Sequence, residues 1–286
     1  MSHYLQHVSD IMQYFKKILI LWALGTAVFT VRAQILVKGN VVNERGESVE
    51  YVSIGFEADS VGTISDAEGQ FAIVLPADRR KDLLFSHVAY QLEKIPYAVY
   101  AQEKGNLTIV LKDKVVGLTE VVIGKDPQLK TIVGKGVVPP AAIIGLSGTG
   151  HQDAKEWGFV FQNRHDYMIS DILLTVSSCE FLKCTLSMNL YEVHDGQFVN
   201  ILNKPLYQKI YKSDGKRTLD FVPEETLLLK RQTKYFVSIS CVDTYDEENI
   251  IYFPCQFRNS YIRVMPEGEK EKLPVGPIII VKGFEV

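Results

Sequence analysis

No cysteine precedes Cys179 in this 286-residue chain, and the four present contain no Cys-x-x-Cys pair. A His-Glu-x-x-His helix is also missing, so neither of the commonest zinc-binding signatures is available. His87, His151, His165 and His194 are followed three positions later by Tyr90, Ala154, Met168 and Gln197, which leaves no His-x-x-Glu pair. No Gly-x-Ser-x-Gly elbow occurs, and Gly148-Thr149-Gly150 lacks the surroundings of a phosphate loop. Excess positive charge is absent too. Lys plus Arg against Asp plus Glu stand at 9 to 13 over residues 35–123 and 16 to 19 over residues 151–286. Nucleic acids and anionic membrane surfaces are bound through basic faces, and neither half supplies one. Beyond Val31 no apolar run is long enough to span a bilayer.

What is present begins with Lys16-Lys17, an apolar run from Ile18 to Val31 and small residues before Gln34. This is the pattern of a secretory signal over residues 1–33 with cleavage after Ala33. The run is shorter than the roughly 20 residues of a spanning helix, and no cysteine follows it to carry a lipid. Met12 lies just upstream of the lysine pair, so Met1 and Met12 both stand as starts. An exported protein is expected, periplasmic, associated with the outer membrane or secreted.

From Ile35 onward short alternating strands are separated by turns. Ile35–Val42, Val49–Phe56, Phe71–Leu75, Leu83–Val88 and Leu107–Leu111 read as strands. Between them lies Gly62-Thr63-Ile64-Ser65-Asp66-Ala67-Glu68-Gly69-Gln70-Phe71. Its chemistry is that of a turn: Asp66 accepts from backbone two residues on, Gly69 takes positive φ and Phe71 restarts a buried face. Some seven strands in about eighty residues predict a Greek-key sandwich.

These residues resemble the carboxypeptidase-like regulatory domain, a transthyretin-like sandwich found beside zinc carboxypeptidases and at the front of many TonB-dependent receptors. The resemblance rests on Val37-Lys38-Gly39-Asn40-Val41-Val42, on the Gly62 to Phe71 run, and on Leu84-Phe85-Ser86-His87-Val88-Ala89-Tyr90. Leu118-Thr119-Glu120-Val121-Val122-Ile123 looks like the segment that follows this module in such receptors. It implies a domain over residues 34–123 without catalytic residues of its own. Too few residues remain for a large transmembrane barrel.

Residues 124–150 hold six glycines and Pro139-Pro140, which predicts a linker, with Ile143-Ile144 as a candidate edge strand. Residues 151–286 resume the strand pattern. Tyr235, Val237, Ile239 and Cys241 are expected on one face of a strand, as are Ile172, Leu174 and Val176. The expectation is an all-β chain: a transthyretin-like Greek-key sandwich followed by a jelly-roll-like sandwich, with no helix. Leu186 to Val193, followed by Asp195-Gly196, resembles the second domain of envelope proteins with this two-part layout, which implies no activity.

The candidate ligand-binding residues are Tyr245, Tyr252, Phe257 and Tyr261, aromatics close in sequence to the carboxylates Asp243, Asp246, Glu247 and Glu248. Exposed and flat, they would form a sugar-stacking platform; alternating along strands, they would belong to the core. The carboxylates read as calcium ligands or as a solvated hairpin tip. Cys179, Cys184, Cys241 and Cys255 allow a disulfide, notably across the turn between Cys179 and Cys184, or serve as small core residues. No metal or cofactor is called for. The expected function is non-catalytic binding of a glycan or an envelope protein, or else a scaffold or accessory role at the outer membrane. A hydrolase is the less favoured alternative.

Overall fold

The computed structural model describes residues 34–76, 78–102, 106–114, 128–139, 142–149, 154–245 and 248–286. The expected signal segment, both candidate start methionines and the Leu118–Ile123 segment lie outside these residues.

The first sandwich is built from β1 (Gln34–Asn43), β2 (Ser53–Gly55), β3 (Gly62–Ile64), β4 (Gln70–Pro76), β5 (Leu83–Ser86), β6 (Glu93–Ile95) and β7 (Leu107–Leu111). One sheet runs β4-β1-β7 and the other β3-β2-β5-β6. In the first, β1 lies parallel to β7, with Val41 opposite Ile109. Alternation drives the packing: in β4, Phe71, Ile73 and Leu75 point inward while Gln70, Ala72 and Val74 face outward. The inward residues meet Val41, Ile54, Phe85 and Leu111 in one core. A single helical turn, α1 (Tyr97–Tyr100), departs from the expected absence of helix. It seats Tyr100 in the core, where the hydroxyl donates to the Lys81 carbonyl at 2.6 Å.

The Asp66 turn forms as its residues dictate. Asp66 Oδ1 accepts from the amides of Glu68 at 3.0 Å and Gln70 at 2.7 Å. Gly69 has φ +77°, and a Cβ there would lie 2.6 Å from the Val41 carbonyl oxygen. Only glycine meets both conditions.

The second sandwich begins earlier than expected. In place of a linker, residues 124–150 supply β8 (Leu129–Val133) and β9 (Ile143–Thr149). Glycine and proline lower strand propensity locally, but both segments find partners far along the chain. β8 pairs with β21 (Ile279–Glu285), and β9 pairs with the first half of the 17-residue β19 (Glu248–Val264).

Its larger sheet contains β10 (Lys155–Gln162), β12 (Ser178–Cys179), β13 (Lys183–His194), β14 (Gln197–Asn200) and β18 (Lys234–Asp243) in the order β12-β19-β10-β18-β13-β14. β9, β15 (Leu206–Tyr211) and β20 (Lys270–Pro277) flank it. The opposing sheet runs β16-β11-β21-β8, from β11 (Tyr167–Val176) and β16 (Arg217–Phe221), with β17 (Leu228–Leu229) beside β11. A short 3₁₀ turn at Lys212–Asp214 adds a second helical element. Trp157, Phe159, Leu186, Val237, Phe253 and Val281 close the core between the sheets, each 0% exposed.

Residues 35–286 form one compact unit. The two sandwiches meet through Tyr51, Ile64, Ala154, Val242 and Met265, with Tyr207 packed alongside. Gly62 permits the approach, since a Cβ there would lie 3.0 Å from the Met265 carbonyl oxygen and 3.1 Å from Ala154 Cβ. Backbone bonds from Ala58 N–H to Glu267 and from Glu269 N–H to Asp59, both 2.9 Å, fasten the seam.

Candidate binding cleft between the two domains

The larger sheet of the second sandwich has polar residues on the face turned away from its core. On β13, Leu186, Met188 and Leu190 enter the core, so Ser187, Asn189 and Tyr191 project to the other side. The same alternation on β18 projects Phe236, Ser238 and Ser240. Register then aligns a row across four strands: Arg263 opposite Glu156, Glu156 opposite Ser240, and Ser240 opposite Ser187.

A buried ion pair anchors this row. Arg263 is 2% exposed and Glu156 0%. The guanidinium donates through Nε to Glu156 Oε1 at 2.5 Å, and its Nη1 reaches the Pro266 carbonyl at 2.9 Å. Glu156 Oε2 accepts from Ser238 Oγ at 2.7 Å, Tyr191 Oη at 3.0 Å and Asn189 Nδ2 at 3.4 Å. Arg263 also stacks over the rings of Tyr191 and Phe198, at 4.7 and 4.8 Å. Burying two charges is tolerable because nearly every lone pair and proton is met. Burial and the neighbouring carboxylate push the Tyr191 hydroxyl far above the usual phenol range.

The first domain roofs part of this face and leaves a cleft of about 430 Å³ between the two. His87, Val88 and Lys114 come from the roof; Ser240, Tyr191 and Tyr207 come from the floor and wall. Lys114 spans the gap, its Nζ donating to the carbonyls of Asn200 at 2.8 Å and Leu202 at 3.4 Å. Burial lowers its pKa from the ordinary lysine value. His87 Nδ1 accepts from the Ala89 amide at 3.3 Å, so a neutral ring carries its proton on Nε2. Desolvation lowers the His87 pKa to about 4, which keeps the ring neutral. Among the described residues its buried Nε2 has no hydrogen-bond partner, and neither has the buried Ser240 Oγ. Both residues line the cleft.

The aromatic residues named from the sequence do not assemble. Tyr245 sits at the end of β18 with φ +51°, its hydroxyl 3.2 Å from Thr185 Oγ1 and its ring 4.0 Å from Lys183 Nζ. Tyr252 and Tyr261 are half-buried on β19, opposite Gly145 and Gly158, while Phe257 is 61% exposed opposite Val275. The nine positions from Tyr252 to Tyr261 span about 30 Å of strand, too far for one stacking surface. None of the four lines the cleft.

Asp243 is committed elsewhere, accepting from the Tyr51 hydroxyl at 3.0 Å and the Tyr245 amide at 2.7 Å. Asp246 and Glu247 fall outside the described residues. Among the described residues no three His, Cys, Asp or Glu side chains are grouped to hold a metal ion. The four cysteines are free thiols here, with Cys179 and Cys184 Sγ atoms 3.9 Å apart.

Sequence reasoning missed the cleft because Ser-x-Ser on β18 and Ser-x-Asn-x-Tyr on β13 read as ordinary solvent faces. Glu156 flanking Trp157 was the available signal, a carboxylate inside a strand with no charged neighbour on its own face.

Comparison with known proteins agrees with the first domain and is silent on the second. A search of curated protein sequences returns no match. Among solved structures, the clostridial cysteine protease Cwp84 after propeptide cleavage aligns with TM-score 0.36 and 11% identity, covering 91% of this chain and 74% of that one. The infectious bursal disease virus Gt strain structure aligns at TM-score 0.28 and 9% identity, over 88% of this chain and 59% of the viral one. The VP2 subviral particle of the same virus gives TM-score 0.24 and 9% identity, over 88% and 64%. The family model of the CarboxypepD_reg-like domain matches residues 37–123. Residues 37–123, the first sandwich and the segment that follows it, are a carboxypeptidase-like regulatory domain.

Proposed function

We propose that this chain is a non-catalytic exported envelope protein that binds a glycan in the cleft between its two sandwiches. The observation that carries this reading is one cavity of about 430 Å³ lined by His87 and Ser240, whose buried Nε2 and Oγ atoms have no hydrogen-bond partner among the described residues. Buried polar groups are normally satisfied, and an orphan pair in a cavity of ligand size is accounted for by a ligand that bonds to them. The half-buried Tyr207 ring adds an aromatic wall of the kind on which sugars stack. Thermal shifts of the chain against glycans, peptidoglycan fragments and peptides test the reading. A saturable glycan shift that Ser240→Val removes supports it; no shift with any glycan, or a shift the variant keeps, overturns it.

A second reading, an accessory subunit that docks on an envelope protein, is favoured by one feature. The outer face of the β4-β1-β7 sheet exposes Leu36 (58%), Val74 (44%) and Val110 (46%). Exposed apolar side chains spread over one sheet face are a feature of contact surfaces.

A further inference from the structure

We infer that the ligand of this cleft is an acidic saccharide, bound through a carboxylate seated on Lys114 and His87. The inference rests on the cleft being the binding site and adds the charge of what it holds.

Lys114 belongs to the first domain and is bridged by its backbone amide to the Ala89 carbonyl at 3.1 Å, which places it beside the His87 turn. An ammonium carries three donors. Two meet the Asn200 and Leu202 carbonyls; among the described residues the third has no acceptor, and no carboxylate lies within ion-pair distance. Cations held half-buried in proteins are ordinarily balanced by a counter-charge. The cleft's other cation, Arg263, already has its own in Glu156, 2.5 Å away. The remaining ionised wall residue, Glu267, is exposed at the rim. Among the described residues one positive charge is therefore left unbalanced inside.

The neighbouring orphan has matching polarity. With Nδ1 occupied by the Ala89 amide, His87, a cleft residue, has only its Nε2–H left to donate. Ser240 Oγ donates or accepts as required. Two committed donors, one of them charged, call for an acceptor group of single negative charge. Phosphate carries more charge and is ordinarily met by several cations or by an arginine fork. Arg263 is not free to supply that fork, so a carboxylate is the better fit.

Calorimetric titration of the full chain with a uronate-containing disaccharide and with its neutral hexose counterpart tests the inference. The acid is expected to bind about tenfold or more tightly than the neutral sugar. Lys114→Met should erase that preference and Lys114→Arg retain it. Equal affinity for both sugars would overturn the carboxylate seat while leaving the cleft as a glycan site. Preference for the acid that persists in Lys114→Met would remove Lys114 as its origin and overturn the inference as well. No heat with either sugar would overturn both the inference and the glycan reading. The acid-to-neutral comparison in the unaltered chain decides even if Lys114→Met fails to fold.

Discussion

The Tyr51 hydroxyl donates to Asp243 Oδ2 at 3.0 Å, joining the two sandwiches across 192 positions of sequence. Tyr51 holds φ +53°, an uncommon conformation for a tyrosine, and its ring meets Tyr207 edge-on at 5.2 Å. Burial and the adjacent carboxylate push its hydroxyl far above the normal phenol range, so it remains a donor at all ordinary pH values.

Tyr51→Phe keeps the ring contact and strips the donor from a buried carboxylate. An unsatisfied buried acceptor costs about 1–3 kcal/mol. The urea midpoint should fall accordingly, and combining Asp243→Asn with Tyr51→Phe should recover part of the loss. A midpoint unchanged by Tyr51→Phe would show that the interdomain bond contributes nothing.

Arg263→Met leaves Glu156 charged and buried with only neutral donors. Breaking a buried pair from one side costs about 3–5 kcal/mol, whereas replacing both partners together is far milder. Arg263→Met alone should therefore destabilise more than the double variant Glu156→Leu with Arg263→Met. Denaturant unfolding of the three proteins checks the order, and the reverse order would refute the account of the network.

Gly69→Val meets two obstacles at once, a φ of +77° and a carbonyl oxygen 2.6 Å from the new Cβ. Backbone strain alone is worth about 1–3 kcal/mol. Chemical denaturation should show at least that loss, and Gly69→Asn, which tolerates positive φ better, should lose less only insofar as the clash with Val41 can relax.

His87 supplies a pH dependence whose sign is fixed by burial. Its pKa falls from 6.5 to about 4 on folding, so the unfolded chain takes up the proton first as pH drops. Its contribution is complete above pH 6.5 and is lost progressively down to about pH 4. Between pH 7.5 and 5 this amounts to about 2 kcal/mol. His87→Leu removes this term, so the gap between its urea midpoints at the two pH values should be smaller than that of the native chain. Equal gaps would show that His87 is not buried as described.

Much of the architecture could be read from the residues. Period-two alternation located β1, β4, β7, β11 and β18, because each buries one face against a core. The Asp66 turn was legible in full, since its bonds close within five residues. What local pattern could not convey was long-range pairing. β8 and β9 are short segments set among glycines and prolines, and their partners β21 and β19 lie far along the chain. The cleft failed for a related reason. Alternation tells which side chains leave the core, but solvent and a second domain are equally polar destinations. The aromatics of β19 were misleading because closeness in sequence along an extended strand means separation in space.

The pairing of β21 with both β8 and β11 bears on how the protein is made. β21 is the last strand of the sequence, and it lies between strands synthesised more than a hundred residues before it. While the ribosome is still extending the chain, β8 has no neighbour and β11 lacks one of its two long partners. The second sandwich therefore closes only after residue 285 has emerged, whereas the last described strand of the first, β7, ends at Leu111. Synthesis delivers a finished small domain carrying a long tail of open strand edges, the state in which such chains are most exposed to aggregation.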